Sequence, residues 1–232
     1  TGGQIRAKQR EIDAMNSGTT LRILVAVGAL SPAPIRLTGD RSLLRRPMGP
    51  LIDALKQLGA EAKCQGANGR PPVVVGGGLE GGETEITGTV SSQFISALLI
   101  AGTQAREDVE ITITDELRSK PYVEITLHLL RKAGARIKHD KSLMWFKVEG
   151  RQKLRPLDIE IPGDFSSASF VLGGAALTGS CVEVDNLNYR GVQGDRRIVD
   201  YLREFGAEVE VKTGAISVRG SELSGSEFDC AD

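Results

Sequence analysis

PLIDALKQLGA, at residues 50–60, has two counterparts further along the chain. Its apolar residues recur at helical spacing, and it ends on Gly59, where a helix favours a residue that tolerates a left-handed conformation. The counterparts run from Val123 to Ala135 and from Arg197 to Ala207, and both contain the same Gly-Ala ending. The three glycines are 75 and 72 residues apart, which predicts a repeated unit of about 75 residues.

A second, more apolar kind of helix is predicted ahead of each of these segments. Its openings are rich in Ser, Thr and Asn, the residues preferred at helix N-caps, and recur at the same period. They lie at residues 16–20, 90–93 and 164–167. The bodies that follow, LRILVAVGAL, FISALLIAG and ASFVLGGAAL, are apolar nearly all round. This composition predicts helices that are buried on most sides.

Short alternating stretches between the helices are predicted strands. Each unit then contains a buried helix, a strand, an amphipathic helix and further strands, so the predicted fold class is α/β with repeated units and mixed sheets. The glycine cluster at residues 76–82 lacks the G-x-G-x-x-G spacing between a strand and a helix, and we interpret it as a turn between strands. The predicted strands lie at residues 61–63, 73–75, 85–87, 109–113, 136–138 and 208–211.

Composition and charge exclude several classes of function. The chain is 40% hydrophobic and 25% charged with a net charge of −1, which gives no reason to expect nucleic acid or an anionic membrane as partner. Its longest apolar runs are too short to span a bilayer. The three cysteines and two histidines form neither a disulfide framework nor a metal-ligand spacing, so we expect no metal site and a reducing, cytoplasmic location. The first residue is not Met, and we expect both ends to be cut from a longer protein.

Three kinds of polar segment are candidates for binding an anionic ligand. The helix openings present free backbone N–H groups and a positive dipole end, although N-capping alone accounts for any single opening. Arg46 stands before Pro47 in predicted extended backbone, where its guanidinium could meet phosphate or carboxylate; a solvated basic loop is the alternative. Ser119, Lys120 and Tyr122 offer a hydroxyl, an ammonium and a phenol at the next helix start, which N-capping also explains.

Six motifs occur together in the order of one family. Residues 16–22, NSGTTLR, resemble the N-[SA]-G-T-x-x-R signature of 5-enolpyruvylshikimate-3-phosphate synthases. Met15 departs from that pattern, since a small residue or Asn usually precedes the first Asn. The other five matches are LTG followed by RPM within residues 37–48, VSSQF at 90–94, SKPY at 119–122, GDFSSA at 163–168 and QGD at 193–195.

The resemblance implies a fold, a reaction and a division of the chain. The family has a two-lobed fold of six repeated units, so residues 1–161 would form most of the shikimate-3-phosphate-binding lobe and residues 162–232 one unit of the other lobe. The implied reaction transfers the enolpyruvyl group of phosphoenolpyruvate to the 5-hydroxyl of shikimate 3-phosphate, in a monomer with no cofactor. An enolpyruvyl transferase acting on UDP-N-acetylglucosamine shares the fold and stays an alternative, as does a fragment that only binds a ligand or a partner.

The resemblance also implies roles for single residues. Gly18 and Arg46 correspond to phosphoenolpyruvate contacts, and Gln93 corresponds to a contact with both substrates. Asp232 resembles an aspartate that is a candidate catalytic base. The family's N-terminal Lys/Arg segment and its later acid/base Glu are not in this sequence, so we expect the chain alone to be inactive. The residues that correspond to shikimate 3-phosphate contacts are Thr19, Ser91, Ser92, Ser119 and Tyr122.

Overall fold

A computed structural model describes residue 5 and residues 9–228, and its elements follow the predicted repeat. Every helix and strand predicted above is present, with ends displaced by a few residues. Short 3₁₀ turns at Leu43–Arg45 and Gly194–Arg197 precede the second and sixth helices. The described helices are α1 (Gly18–Ala29), α2 (Gly49–Gln57), α3 (Ser92–Gly102), α4 (Lys120–Lys132), α5 (Phe165–Thr178) and α6 (Ile198–Glu204). The described strands are β1 (Glu11–Asp13), β2 (Ile35–Thr38), β3 (Glu61–Gly66), β4 (Arg70–Gly76), β5 (Gly82–Ile86), β6 (Val109–Ile113), β7 (Ile137–His139), β8 (Trp145–Val148), β9 (Cys181–Asp185), β10 (Glu208–Lys212) and β11 (Ala215–Arg219).

Within residues 9–228 the strands form three sheets, and two of these have the same strand order. The orders are β1-β2-β4-β3 and β5-β6-β8-β7. In both sheets the first two strands are parallel and the other pairs are antiparallel. Parallel neighbours need a crossover connection, which α1 and α3 provide. Read in the same direction, the third sheet has the order β9-β11-β10, which matches β2-β4-β3 and β6-β8-β7. The repeat is therefore confirmed in two full copies and in part of a third.

The chain divides into two compact units between Leu157 and Asp158, close to the boundary predicted after residue 161. We call them the larger unit and the smaller unit. Each has its own hydrophobic core. Whether they correspond to the two lobes that the resemblance implies stays a prediction.

In the larger unit α1 and α3 are buried as predicted. They pack against each other, and Leu21, Val25 and Phe94 are fully buried. Each helix also lies on its own sheet: a β-carbon at Gly28 of α1 would lie 3.0 Å from the Val75 side chain in β4. The helix openings are therefore held by packing on two sides, which fixes their positions relative to each other.

Glycines close the amphipathic helices and shape one turn, as the sequence predicts. Gly59 and Gly134 have φ of +87° directly after α2 and α4, the left-handed conformation of a helix C-terminus. The glycine cluster at residues 76–82 lies between β4 and β5, which confirms that it is a turn between strands.

In the smaller unit, α5 departs from the predicted burial. Its residues Phe165 and Leu172 are buried in the core, but Phe170 is 83% exposed and Leu177 is 79% exposed. Whereas α1 and α3 cover each other, α5 packs within its unit on β9, β11 and α6. The prediction that all three apolar helices are buried on most sides is therefore wrong for one face of α5, because among the described residues no second helix of its kind covers that face.

Candidate substrate-binding site

The openings of α1 and α3 are built in the same way. Ser17 is the N-cap of α1, and its hydroxyl oxygen accepts a hydrogen bond from the Thr20 N–H at 3.2 Å. Ser91 is the N-cap of α3, and its hydroxyl oxygen accepts from the Gln93 N–H at 3.3 Å. These caps confirm the predicted helix starts, and the remaining N–H groups of each first turn stay available to an anion.

Arg22 connects the two openings. Its Nη1 donates to Gln93 Oε1 at 2.6 Å and to Ser91 Oγ at 3.1 Å, and its guanidinium lies 5.2 Å from the centre of the Phe94 ring. Gln93 Nε2 in turn donates to Thr19 Oγ1 at 2.8 Å. Four polar side chains from α1 and α3 thus form one continuous hydrogen-bonded group.

Arg46 brings a second guanidinium to the start of α1. It has the extended conformation predicted for a residue before proline, with φ of −79° and ψ of 138°. A β-carbon on Gly18 would lie 2.7 Å from Arg46 Nη1 and 3.9 Å from Arg22 Nη1, so both cations reach the same point, and a side chain at residue 18 would displace the Arg46 guanidinium from it. Burial, and next the charge of Arg46, lower the pKa of Arg22. Two cations that disfavour each other in this way are a favourable environment for a dianion.

The remaining sequence-predicted residues of the larger unit, Ser92, Ser119 and Tyr122, lie at the starts of α3 and α4. Ser92 is the first residue of α3 and is only 6% exposed. Ser119 precedes α4 in a left-handed conformation with φ of +55°, and Tyr122, in the first turn of α4, is 46% exposed. Thr126 ties this turn to α3, because it bonds Ser96 Oγ at 2.8 Å and donates to the Tyr122 carbonyl at 3.0 Å.

The structure therefore brings together Gly18, Thr19, Arg46, Ser91 and Gln93 around Arg22. It places Ser119 and Tyr122 at the start of α4, the helix that is tied to α3. Their roles towards substrates stay predictions. Asp232, the candidate base, lies outside the described residues.

In the smaller unit, the QGD motif supports the opening of α5. Gln193 Oε1 accepts from the Phe165 N–H at 3.0 Å, and Gln193 Nε2 donates to the Gly163 carbonyl at 2.8 Å. The Ser166 hydroxyl donates to the Asp195 carboxylate. Two motifs that are 30 residues apart in the sequence thus form one hydrogen-bonded helix start.

Asp164 caps α5, and this cap predicts how stability depends on pH. Its carboxylate accepts from the Ser167 hydroxyl at 2.6 Å and from the Ser167 N–H at 2.9 Å, and these bonds lower the pKa of Asp164. Because the folded-state pKa is below the unfolded one, the stabilisation is present above the ordinary value of 3.8 and is lost as the pH falls below it.

Replacing Asp164 by Ser keeps a capping oxygen but removes the titrating group. We expect the Tm of the Asp164→Ser chain to fall less steeply than that of the wild type as the pH is lowered from about 5 to about 3. Thermal unfolding followed by circular dichroism over this range measures both slopes. Parallel slopes would show that the cap does not depend on the charge of Asp164.

Arg22 is the residue of this site to which sequence reasoning gave no role. It closes the first motif, and the signal was its position four residues after Gly18, which places both on one face of α1. Within the described ranges, no group of three or more His, Cys, Asp or Glu side chains is placed so that it could hold a metal ion. Nor does any helix in this part of the chain have the length and apolar character needed to cross a membrane.

Comparisons with known proteins agree with the motifs. The family described as EPSP synthase (3-phosphoshikimate 1-carboxyvinyltransferase) matches residues 1–232. A 3-phosphoshikimate 1-carboxyvinyltransferase of Methanothrix thermoacetophila is 48% identical over 99% of this chain and 54% of its own length. One from Methanocaldococcus jannaschii is 41% identical over the whole chain and again 54% of its own length. The chain thus spans about half the length of the curated relatives it matches.

The fold is similar to that of a solved relative. An EPSP synthase structure from Acinetobacter baumannii superposes with a TM-score of 0.74 and 28% sequence identity, over 97% of this chain and 51% of that one. The predicted α/β repeat fold is thereby confirmed, and the match to about half of the neighbour is consistent with an incomplete two-lobed fold.

Proposed function

The chain belongs to the EPSP synthase family, and we therefore propose that the full-length protein transfers the enolpyruvyl group of phosphoenolpyruvate to the 5-hydroxyl of shikimate 3-phosphate, releasing phosphate. The observation that carries this proposal is the pair of guanidinium groups of Arg22 and Arg46 at the start of α1, next to Gly18. This pair, with the N-terminal N–H groups of α1, suits the phosphate of phosphoenolpyruvate.

The reaction proceeds by addition and then elimination. The methylene carbon of phosphoenolpyruvate takes up a proton, and the 5-hydroxyl oxygen bonds to the neighbouring carbon as it loses its own proton. In the tetrahedral intermediate the bond between that carbon and the phosphate oxygen breaks, phosphate leaves with the bonding electrons, and the methyl group returns a proton. Each step needs an acid or a base and stabilisation of charge on the phosphate, and the Arg22–Arg46 pair supplies the stabilisation.

The hydroxyl and amide groups of α3 and α4 suit the second substrate. Ser91, Gln93, Ser119 and Tyr122 present hydroxyl, amide and phenol groups, which fit a ligand that has several hydroxyls and one phosphate. Gln93 belongs to the opening of α3 and bonds Thr19 and Arg22 of α1, so it is suited to touch both substrates. Holding the two reactants in one orientation removes much of the entropic barrier to their reaction.

The test is phosphate release from phosphoenolpyruvate by the full-length protein, with shikimate 3-phosphate as acceptor. We expect turnover that requires both substrates, and no turnover by the 232-residue chain alone. Release with UDP-N-acetylglucosamine but not with shikimate 3-phosphate would move the protein to the alternative acceptor. Absence of turnover with either acceptor, in a folded full-length protein, would leave a ligand-binding module as the function.

A further inference from the structure

Asp115 joins two loops that both lead into predicted substrate-binding segments. It follows β6 and stands four residues before Ser119. Its Oδ2 accepts a hydrogen bond from the Thr87 hydroxyl at 2.5 Å, and its Oδ1 accepts from the Gly88 N–H at 2.6 Å. The loop that it holds at residues 87–89 runs directly into Val90 and the N-cap Ser91. One carboxylate therefore connects the approach to α3 with the approach to α4.

The two loops touch closely at Gly88. A β-carbon at this position would lie 2.6 Å from the Glu116 carbonyl oxygen and 2.7 Å from the Leu117 Cα, so no larger residue fits unless the loops separate. The Gly88 carbonyl also accepts from the Arg118 N–H at 3.3 Å. Loss of the Asp115 carboxylate should therefore shift both loops together, because their close packing at Gly88 leaves no space in which one loop could move alone.

Asp40 occupies the equivalent place in the first repeat, 75 residues earlier and two residues after β2. Its Oδ1 accepts from the Leu43 N–H at 2.8 Å, and its Oδ2 accepts from the Asn16 side-chain amide at 2.6 Å. It therefore joins the loop before Gly18 to the 3₁₀ turn before Arg46. The same residue type makes the same kind of connection at the spacing of the repeat.

Both carboxylates are held ionised by these contacts. The hydrogen bond from the Thr87 hydroxyl, together with the Gly88 N–H, lowers the pKa of Asp115. The hydrogen bond from the Asn16 amide, together with the Leu43 N–H, lowers the pKa of Asp40. An ionised carboxylate is the strongest acceptor available for these donors, so each connection is at full strength at neutral pH.

We propose that Asp115 and Asp40 are positioning residues of two different subsites: Asp115 orients the segments that bind shikimate 3-phosphate, and Asp40 orients those that bind phosphoenolpyruvate. This inference rests on the proposed function, because it assigns each connection to the substrate whose contacts it joins. Neither carboxylate needs to touch a substrate. Each acts through the helix opening and the loop that it holds.

The test compares KM for both substrates in the full-length protein. We expect Asp115→Ala to raise KM for shikimate 3-phosphate roughly tenfold, with a much smaller change in KM for phosphoenolpyruvate, and Asp40→Ala to show the reverse. The Asp115→Asn variant should have a KM for shikimate 3-phosphate within about threefold of the wild-type value. The asparagine oxygen still accepts from the Gly88 N–H, and its NH₂ group can donate to the Thr87 hydroxyl.

A matched control separates positioning from loss of stability. Gln152 is buried in the larger unit, where it accepts from the Arg136 N–H at 2.7 Å and donates to the Glu149 carbonyl at 2.7 Å. Gln152→Ala should lower Tm at least as much as Asp115→Ala while leaving both KM values near those of the wild type.

Three outcomes would overturn the inference while the wild-type enzyme is active. They are unchanged KM values in both aspartate variants, equal shifts of both KM values in each variant, and an Asp115→Asn variant as impaired as Asp115→Ala. A wild-type protein without activity would instead remove the proposed function, and this inference with it.

Discussion

Replacing Arg46 by Ala in the full-length protein is expected to lower kcat/KM for phosphoenolpyruvate by roughly 100-fold, or about 2.7 kcal/mol. Arg46 reaches the point next to Gly18 where Arg22 also arrives, so its loss removes one of the two guanidinium groups at that point. Charge-assisted hydrogen bonds from a guanidinium are among the strongest in proteins, and this phosphate carries more charge as it leaves. Steady-state phosphate release at varied phosphoenolpyruvate measures the change.

The neighbouring Arg45 provides the control. Arg45 is exposed and belongs to the same basic segment, but its side chain is not among the groups nearest Gly18. Arg45→Ala therefore removes one positive charge from the loop and leaves the two guanidinium groups at Gly18 in place. We expect near wild-type kinetics for that variant. Arg46→Lys should be intermediate, because it keeps the charge but loses the planar fork. If Arg46→Ala kept the wild-type kcat/KM, Arg46 would not belong to the site.

Replacing Gln93 by Glu should lower kcat/KM to a similar extent, because it adds a negative charge to the site, whereas Arg46→Ala removes a positive one. A glutamate keeps the acceptor for Arg22 Nη1 but adds a negative charge beside it and loses the amide that donates to Thr19. The new carboxylate neutralises one of the two cations and repels both anionic substrates. We expect kcat/KM for both substrates to fall by on the order of 100-fold while Tm stays equal to or above the wild-type value.

The matching substitution outside the site is Gln57→Glu. Gln57 Oε1 is also a hydrogen-bond acceptor, for the Thr84 hydroxyl at 2.7 Å and for the Glu85 N–H at 2.8 Å. This variant adds the same charge to the larger unit and should leave kcat/KM unchanged. If Gln93→Glu kept the wild-type kcat/KM for both substrates, Gln93 would not be a substrate contact, even though it bonds Arg22.

The sequence predicts local structure well here because each repeat carries its own signals. Serine caps, helical spacing and closing glycines each depend on residues that are close together in the sequence. They predict where α1 and α3 begin and where α2 and α4 end. Arg46 was also found locally, since the proline that follows it restricts its backbone to the extended conformation. These signals do not depend on what the segment packs against.

The contacts that sequence reasoning missed join residues that are far apart in the chain. Arg22 meets Gln93 at a separation of 71 residues, and Asp115 meets Thr87 at a separation of 28 residues. No spacing rule within one helix or one strand pair predicts such partners, because the packing of α1 against α3 and the pairing of β5 with β6 create them. The period of the repeat was the one long-range signal, and it relates Asp115 to Asp40 without saying what either residue bonds.

The burial of α5 was mispredicted for the same reason, since the composition of a helix does not reveal how many neighbours it has. Phe170, Val171 and Leu177 leave an uncovered apolar stripe along this helix. In a concentrated solution such a stripe favours association between molecules, and a net charge of −1 opposes it only weakly. We therefore expect purification of the 232-residue chain on its own to need dilute conditions, because this helix face favours association between molecules.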